Sequence, residues 1–300
     1  MTQLSDPIAT PVIAMKCIPA ETPLVDIMAG ASRWEIPIHE HGFIALVDAM
    51  PRLVPEGQTA DFAIVQAARV SYGAGTKKIS EDRGLIRYLM RHHHTTPFEM
   101  VEFKFHVAMP IFIARQWIRH RTANVNEYSA RYSIVQDRFY SPSVENVRAQ
   151  SNTNRQGGTA PVDAATAQEF LGWLDQCAAQ YEQYEKLLEK GVTRELARIG
   201  LPVSAYTEWY WKCDLHNIFH FLALRMDAHA QQEIRDYATA MYALIRPIAP
   251  IACEAFEQYR LNGLHLTALE IDAIRTSNPL ATDNKREQSE WEAKKQRLGL

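Results

Sequence analysis

The pattern of apolar and polar residues predicts a strand that leads directly into a helix. Apolar and polar side chains alternate over Met100–Val107, and a period of two is typical of a strand with one buried face. Pro110 follows, and proline is favoured in the first turn of a helix. The pattern therefore predicts a helix over Ile111–Arg121, with Arg115 and Arg119 one turn apart on the same face.

Apolar residues at helical spacing predict that much of the remaining chain is helical. In Ala60–Val70, Ile64 and Val65 fall on the expected apolar face. Ser80 is suited to cap a helix that runs to about Met90. Further helices are predicted over Ala164–Lys190, Thr193–Ile199, Leu215–Met226, Ala228–Arg246 and Asn284–Leu300.

Two segments are expected to be irregular. Residues 1–40 contain five prolines, which predicts an irregular N-terminal extension with at most one strand, near Val12–Ile18. Residues 141–161 are polar and include the pair Gly157-Gly158, which is typical of a surface loop or insertion.

These elements predict the α+β class: a helix-rich single domain over residues 41–265, with a modest antiparallel or mixed sheet, and a charged tail over 266–300. The 300 residues are 47% hydrophobic, which suffices for a core and excludes a wholly disordered chain. The four cysteines form no CxxC pair, so neither a disulfide framework nor a cysteine zinc site is expected. Without a signal-peptide pattern or a long apolar run, we expect a cytoplasmic protein with no membrane partner.

Positive charge is concentrated locally, although the net charge is −3. Residues 115–131 contain four arginines and one acid, Glu127. Guanidinium groups bind phosphate bidentately, so the segment suits a phosphorylated ligand. A solvated arginine face or a salt-bridge network explains the same pattern, and the pattern alone leaves both open. The lack of a global basic excess argues against nucleic acid as a partner.

Two segments contain histidines that invite a comparison with metal sites. His92–His94 are consecutive, and adjacent residues do not converge on one ion, so a polar turn is the better interpretation. His216 and His220 are one helical turn apart, which is compatible with a metal, but the glutamate of an HExxH motif is absent. The sequence therefore predicts no metal ligands.

Arg225 lies among apolar neighbours, where a cation requires an anion or a carbonyl-rich ligand. An ion pair with Asp227 or Glu233 is the plainer alternative. Three classes of function are compatible with these residues: an enzyme that acts on a phosphorylated nucleotide, a metal hydrolase, and an RNA-binding module. The chain has no GxGxxG, Walker A or GxSxG motif, so a nucleotide would be held by an unusual site.

The segment RHRTANVNEYS, from Arg119 to Ser129, resembles the signature of the flavin-dependent thymidylate synthases. Two further segments are similar to that family, HHTTPFEMVEFKF and TEWYWKCDLHNIFHFLALRMDAHAQQEIRDYA, and the resemblance extends over about Ala60–Arg246. It implies the fold of that family and the conversion of dUMP to dTMP. It also implies FAD as hydride carrier, methylenetetrahydrofolate and NADPH as co-substrates, and a homotetramer with shared active sites.

The resemblance further implies roles for individual residues. Those expected to contact FAD are Ser71, Thr96, Arg119, His120, Arg121, Glu127, Asp214, His216 and His220. Those expected to bind dUMP are Gln116, Arg119, Glu127, Ser129, Arg131, Arg198 and Arg225. Arg225 is the expected catalytic residue, because a cation beside the uracil stabilises the charge that develops on the ring. No covalent adduct with an enzyme nucleophile is expected, and Ser129 is assigned to binding.

Overall fold

The computed structural model describes residues 24–28, 31–70, 82–151 and 157–300. They form two compact units, of which the first ends at Cys253 and the second comprises Glu254–Leu300. The second unit thus begins before residue 266, where the sequence predicted the start of the tail. Within the described ranges, no helix is both long and apolar enough to cross a bilayer.

A six-stranded antiparallel sheet forms the centre of the first unit, which confirms the predicted α+β class. The described residues contain eight strands in all, six in this sheet and two in a separate pair. They are β1 (Leu24–Met28), β2 (Ala31–Ile38), β3 (Gly42–Met50), β4 (Glu102–Pro110), β5 (Asn124–Glu127), β6 (Arg148–Gln150), β7 (Gly158–Pro161) and β8 (Tyr206–Asp214). Their order in the main sheet is β1-β2-β3-β4-β8-β5, while β6 and β7 pair separately. The strand predicted over Met100–Val107 is confirmed as β4.

The irregular N-terminal extension predicted for residues 1–40 is wrong where β1 and β2 lie. β2 pairs with β3 in a register that places Trp34 opposite Leu46 and Ile36 opposite Ile44. The prolines misled the prediction, because Pro37 sits near the end of β2 and is tolerated there. The strand expected near Val12–Ile18 lies outside the described residues.

Twelve α-helices accompany the strands in the described parts of the chain. They are α1 (Asp61–Val70), α2 (Asp82–Arg91), α3 (Thr96–Glu99), α4 (Ile111–Trp117), α5 (Ala164–Ala178), α6 (Gln180–Glu189), α7 (Arg194–Ala197), α8 (Leu215–Arg225), α9 (Gln232–Ile245), α10 (Pro250–Phe256), α11 (Ala268–Thr276) and α12 (Lys285–Leu298). The helix predicted over Ala164–Lys190 is two helices that meet at Ala179. The proposed cap Ser80 lies outside the described residues.

The insertion predicted as a loop over residues 141–161 contains regular structure. A short 3₁₀ helix, Val144–Asn146, precedes β6, and β6 pairs with β7. Gly158 is required in this pairing, because a Cβ there would lie 2.4 Å from the Cβ of Arg148. The polar composition concealed the hairpin, since both of its strands are exposed and lack an apolar alternation.

A buried aromatic cluster holds α4 and α8 against the sheet. The indole ring of Trp117 in α4 lies 5.8 Å from that of Trp209 and 5.6 Å from that of Trp211, both on β8. It also stacks at 4.7 Å on Phe221 of α8. Because Trp117 and Phe221 are fully buried, the C-terminal end of α4 and the C-terminal half of α8, where these residues lie, have little freedom to move.

The second unit contains α11 and α12. A capping box between Thr267 and Glu270 begins α11, and Lys294 of α12 forms an ion pair with Glu270 at 2.7 Å. Trp291 of α12 is buried, so the helix expected at the C-terminus is confirmed but is not wholly solvated. A cavity of about 730 Å³ lies in this unit, and none of the predicted site residues lines it.

Candidate functional site

The arginine-rich segment begins on α4 and continues beyond its end. Pro110 precedes the helix in an extended conformation, and the helix ends at Trp117, where the N–H of Ile118 bonds to the C=O of Ala114. Arg119 and Arg121 therefore follow the helix, and the prediction that Arg115 and Arg119 share one helical face is wrong. The burial of Trp117 explains this ending, because the chain must turn beyond it to start β5 at Asn124.

His120 and Arg225 meet directly, although the sequence places them far apart. Nε of Arg225 donates a hydrogen bond to Nε2 of His120 over 3.0 Å. Because a guanidinium can only donate, the imidazole accepts at Nε2 and carries its proton on Nδ1. The His120 ring meets Phe221 edge-on at 4.9 Å and lies 5.9 Å from the ring of His220. One predicted FAD residue, His120, thus contacts the predicted catalytic arginine, and a second, His220, lies beside His120.

The electrostatics of this group keep His120 neutral. Burial, followed by the charges of Arg225 and His220, lowers the pKa of His120 to about 4. The imidazole is therefore an acceptor for Arg225 at neutral pH. Burial also lowers the pKa of Arg225, although a guanidinium stays charged at any physiological pH.

Arg225 makes no ion pair within the described parts of the chain. Asp227 instead accepts hydrogen bonds at 2.8 Å from the backbone N–H and from Nδ1 of His229. Glu233 accepts a hydrogen bond at 2.8 Å from the Tyr140 hydroxyl. The alternative of an Arg225 pair with Asp227 or Glu233 is therefore wrong. A half-buried guanidinium without a carboxylate is suited to bind an anionic or carbonyl-rich ligand.

A second group of predicted residues lines a cavity of about 360 Å³ in the first unit. Glu127, Ser129 and Arg198, all expected to bind dUMP, share this cavity. The other lining residues are Ile111, Tyr128, Ala130, Val135, Leu201, Ala205, Tyr206 and Thr207. Among the described residues, no hydrogen bond, ion pair or ring contact joins His120 or Arg225 to the residues that line this cavity.

Sequence reasoning missed Thr207, whose hydroxyl donates to Oε1 of Glu127 over 2.8 Å. The alternation of β8 places Thr207 on the same face as Trp209 and Trp211. That signal was available, but it does not show which residue lies opposite. The contact depends on the pairing of β5 with β8, which sets Glu127 against Trp209.

The remaining expected dUMP residues make contacts within the chain. Gln116 bonds to the side chain of Gln231. Arg131 forms an ion pair with Glu195 and lies over the ring of Tyr132 at 5.6 Å. Both side chains of the Arg131–Glu195 pair are about half exposed, so the pair is weak and easily exchanged for a ligand.

The remaining residues expected to contact FAD differ in their position and in their contacts within the chain. Asp214 caps α8 by accepting the N–H of Asn217 at 2.9 Å. His216 lies in the first turn of α8, and Thr96 is exposed at the start of α3. Arg119 and Arg121 are exposed just beyond the end of α4. Ser71 lies outside the described residues.

Cys213 is unsuited to nucleophilic attack. Its thiol is buried and donates to the C=O of Thr122 at 3.1 Å. Burial, together with the charge of Asp214, raises the pKa of this thiol, so the reactive thiolate is strongly disfavoured. As for metals, the described residues contain no group of three or more histidine, cysteine, aspartate or glutamate side chains that could hold an ion.

Comparison with known proteins identifies the class to which this fold and site belong. A family model described as "Thymidylate synthase complementing protein" matches residues 52–251. A flavin-dependent thymidylate synthase of Dictyostelium discoideum is 66% identical over 286 residues, which cover 95% of this chain and 94% of the relative. Another, from Gluconobacter oxydans, is 55% identical and covers 79% of this chain and 77% of the relative.

A solved structure agrees with these relatives. The UMP/dUMP methylase PolB from Streptomyces cacaoi, bound with 5-Br dUMP, is 33% identical and aligns with a TM-score of 0.65 over 75% of this chain and 99% of its own. The chain belongs to the family of flavin-dependent thymidylate synthases, and it is an enzyme of that methyltransferase class.

Proposed function

We propose that the protein converts dUMP to dTMP, with methylenetetrahydrofolate as carbon donor, FAD as hydride carrier and NADPH as the reductant of the flavin. The observation that carries this proposal is the Arg225 guanidinium, which is half-buried, unpaired with any described carboxylate and held by neutral His120. Such a cation suits a uracil ring that becomes negatively charged when its carbon reacts. The relatives' common name supports the same reaction.

The nucleotide would occupy the cavity that holds Glu127, Ser129 and Arg198. A guanidinium and a hydroxyl are appropriate ligands for a phosphate, and a carboxylate accepts hydrogen bonds from sugar or base donors. Arg131 would join them by exchanging its exposed partner Glu195 for the phosphate. These contacts bind and orient the substrate, and none requires a protein nucleophile.

The residues around His120 fit a flavin nucleotide in their chemistry. Arg119 and Arg121 are exposed cations with no ion pair in the described ranges, which suits the diphosphate of FAD. Thr96, His216 and His220 would complete the contacts, and the charge of Glu127 would lie near both ligands. When bound, the flavin supplies the hydride that the protein cannot provide. The chain's own part is to hold it, orient it and exclude water.

We further propose a homotetramer in which each active site takes residues from more than one chain. Its support is that, among the described residues of one chain, no contact joins the His120–Arg225 pair to the cavity with Glu127. An isologous arrangement of identical chains brings such groups together in pairs. Light scattering during size-exclusion chromatography measures the assembly, and a stable monomer with full activity would contradict it.

The experiment that tests the reaction is an assay for dTMP from dUMP, methylenetetrahydrofolate and NADPH, with and without added FAD. We expect a yellow protein with a flavin spectrum and product formation that depends on the flavin. A colourless protein containing stoichiometric zinc, with no dTMP produced, would overturn the proposal in favour of a metal hydrolase.

A further inference from the structure

The hydrogen bond from Thr207 to Glu127 fixes a carboxylate inside the candidate nucleotide cavity. Thr207 is 7% exposed, and its hydroxyl lies 2.8 Å from Oε1 of Glu127. Threonine is stiff at its first side-chain torsion, and a buried threonine on a central strand has little freedom. The Thr207 hydroxyl is therefore held in a fixed position, and it restricts the Glu127 carboxylate, which is carried by the edge strand β5.

The other oxygen of Glu127 remains available to a ligand. Within the described residues, Oε2 accepts no hydrogen bond and Glu127 forms no ion pair. Arg198 lines the same cavity but does not pair with this carboxylate. Among the described residues, the cavity thus presents a cation and an anion that do not form an ion pair with each other. That arrangement matches a ligand with a negative end and, at a distance from it, a hydrogen-bond donor.

We propose that Thr207 is a positioning residue, whose hydroxyl orients the Glu127 carboxylate so that Oε2 accepts a hydrogen bond from the sugar hydroxyl of dUMP. This inference rests on the proposed function, because it takes dUMP as the ligand of the cavity. In a nucleoside monophosphate the sugar lies between the phosphate and the base. The sugar hydroxyl lies closer to the phosphate than the N–H of the base does, so with the phosphate at Arg198 we assign the hydroxyl to Glu127, which lines the same cavity.

The orientation matters because glutamate has three side-chain torsions to restrict on binding. A glutamate on an exposed edge strand samples several rotamers, and ordering it on binding reduces the affinity. Thr207 restricts the side chain before the nucleotide arrives. Removal of the Thr207 hydroxyl should therefore weaken dUMP without displacing the flavin.

The test compares Thr207→Val with Thr207→Ser in the flavin-loaded enzyme, with dUMP binding measured by calorimetry. Valine keeps the shape but removes the donor, and we expect about tenfold weaker dUMP binding, the upper end of the cost of ordering one flexible side chain on binding. Serine keeps the donor, so Thr207→Ser should bind within about twofold of wild type. Flavin absorbance and thermal melting show whether each variant is folded; if Thr207→Val is not, Thr207→Ala replaces it.

Thr59 provides a matched control outside the cavity. Its hydroxyl donates to the carboxylate of Asp61 at 3.0 Å, so Thr59→Val removes the same kind of hydrogen bond elsewhere in the chain. We expect Thr59→Val to change the melting temperature and leave dUMP affinity unchanged. Equal loss of dUMP affinity in Thr59→Val and Thr207→Val would indicate a general structural effect and overturn the inference.

Two further measurements identify the partner of Thr207 and the group it serves. In a Glu127→Ala background, Thr207→Val should have no further effect on dUMP, whereas an additive loss would contradict positioning through Glu127. The 2′,3′-dideoxy analogue of UMP should bind wild type and Thr207→Val alike, whereas a tenfold difference would exclude the sugar hydroxyl. If the wild type does not bind dUMP, the proposed function is overturned together with this inference. If the wild type binds dUMP and Thr207→Val and Thr207→Ser bind it with equal affinity, only this inference is overturned.

Discussion

At the scale of single residues, Arg225 is the side chain on which the proposed chemistry depends. Arg225→Ala should lower the rate of dTMP formation at least about a hundredfold, the usual cost of removing one charge-stabilising donor. The flavin should remain bound, because Arg225 is assigned to the uracil. Product formation and flavin absorbance measure the two effects separately. Arg275→Ala is the control, since Arg275 is exposed and pairs with Asp272 in the second unit.

The contrary outcome for Arg225 is also informative. If Arg225→Ala loses its flavin while the apoprotein still binds dUMP, the guanidinium belongs to the cofactor site and the uracil assignment is wrong. Equal activity in Arg225→Ala and Arg275→Ala would remove Arg225 from the chemistry altogether.

The lowered pKa of His120 leads us to expect that the stability of the folded protein depends on pH. The pKa of His120 falls from 6.5 to about 4 on folding, so the unfolded chain binds a proton in a range where the folded protein does not. As the pH falls below about 6.5, proton uptake by the unfolded chain lowers the free energy of unfolding progressively. The decrease ends below about pH 4, where His120 is protonated in both states. Above pH 6.5 His120 is neutral in both states, so the free energy of unfolding does not change with pH through this residue. Denaturant unfolding between about pH 7 and pH 5 measures the slope.

His120→Gln is the variant that isolates this effect. The glutamine oxygen can still accept from Arg225 but has no proton to gain, so the decrease in stability from pH 7 to pH 5 should be smaller than in wild type. An identical slope in both proteins would show that His120 is not the group responsible. His229→Gln is a suitable comparison, because His229 is exposed and lies beside Asp227.

At the scale of elements, Asp214 distinguishes a helix cap from a cofactor contact. Its side chain caps α8, and α8 carries His216, His220 and Arg225. Asp214→Ala should cost about 1 kcal/mol of stability, whereas Asp214→Asn should cost little because asparagine is an equally good cap. Chemical denaturation measures this difference. If Asp214→Asn melts normally but loses flavin, the carboxylate charge contacts the cofactor as the family resemblance implies.

Also at this scale, element types were easier to predict than their limits. The alternation in β4 and the helical spacing in α1, α8 and α9 depend on local periodicity, and the structure has these elements. The helix at Ile111 ended early because Trp117 packs into the aromatic cluster, which no local pattern reveals. The exposed β6–β7 hairpin was missed because its residues carry no apolar alternation.

At the scale of the whole molecule, shared active sites can be tested by mixing inactive chains. Arg225→Ala and Arg198→Ala each remove one group, and the two groups share no described contact within one chain. If each site combines Arg225 of one chain with Arg198 of another, mixed tetramers contain some intact sites and regain part of the activity. Co-expression followed by the dTMP assay measures this. Complete inactivity of verified mixed tetramers would place both residues in the same chain's site.

The sequence by itself determined the class of this protein, because the RHRTANVNEYS segment and the periodic elements around it are local features of the chain. Only the tertiary structure decided which polar groups meet: Arg225 with His120, 105 residues apart, and Thr207 with Glu127, 80 residues apart. The physical reason is that periodicity assigns a residue to a face but not to a partner. Partners depend on strand register and on where buried aromatic residues end the helices.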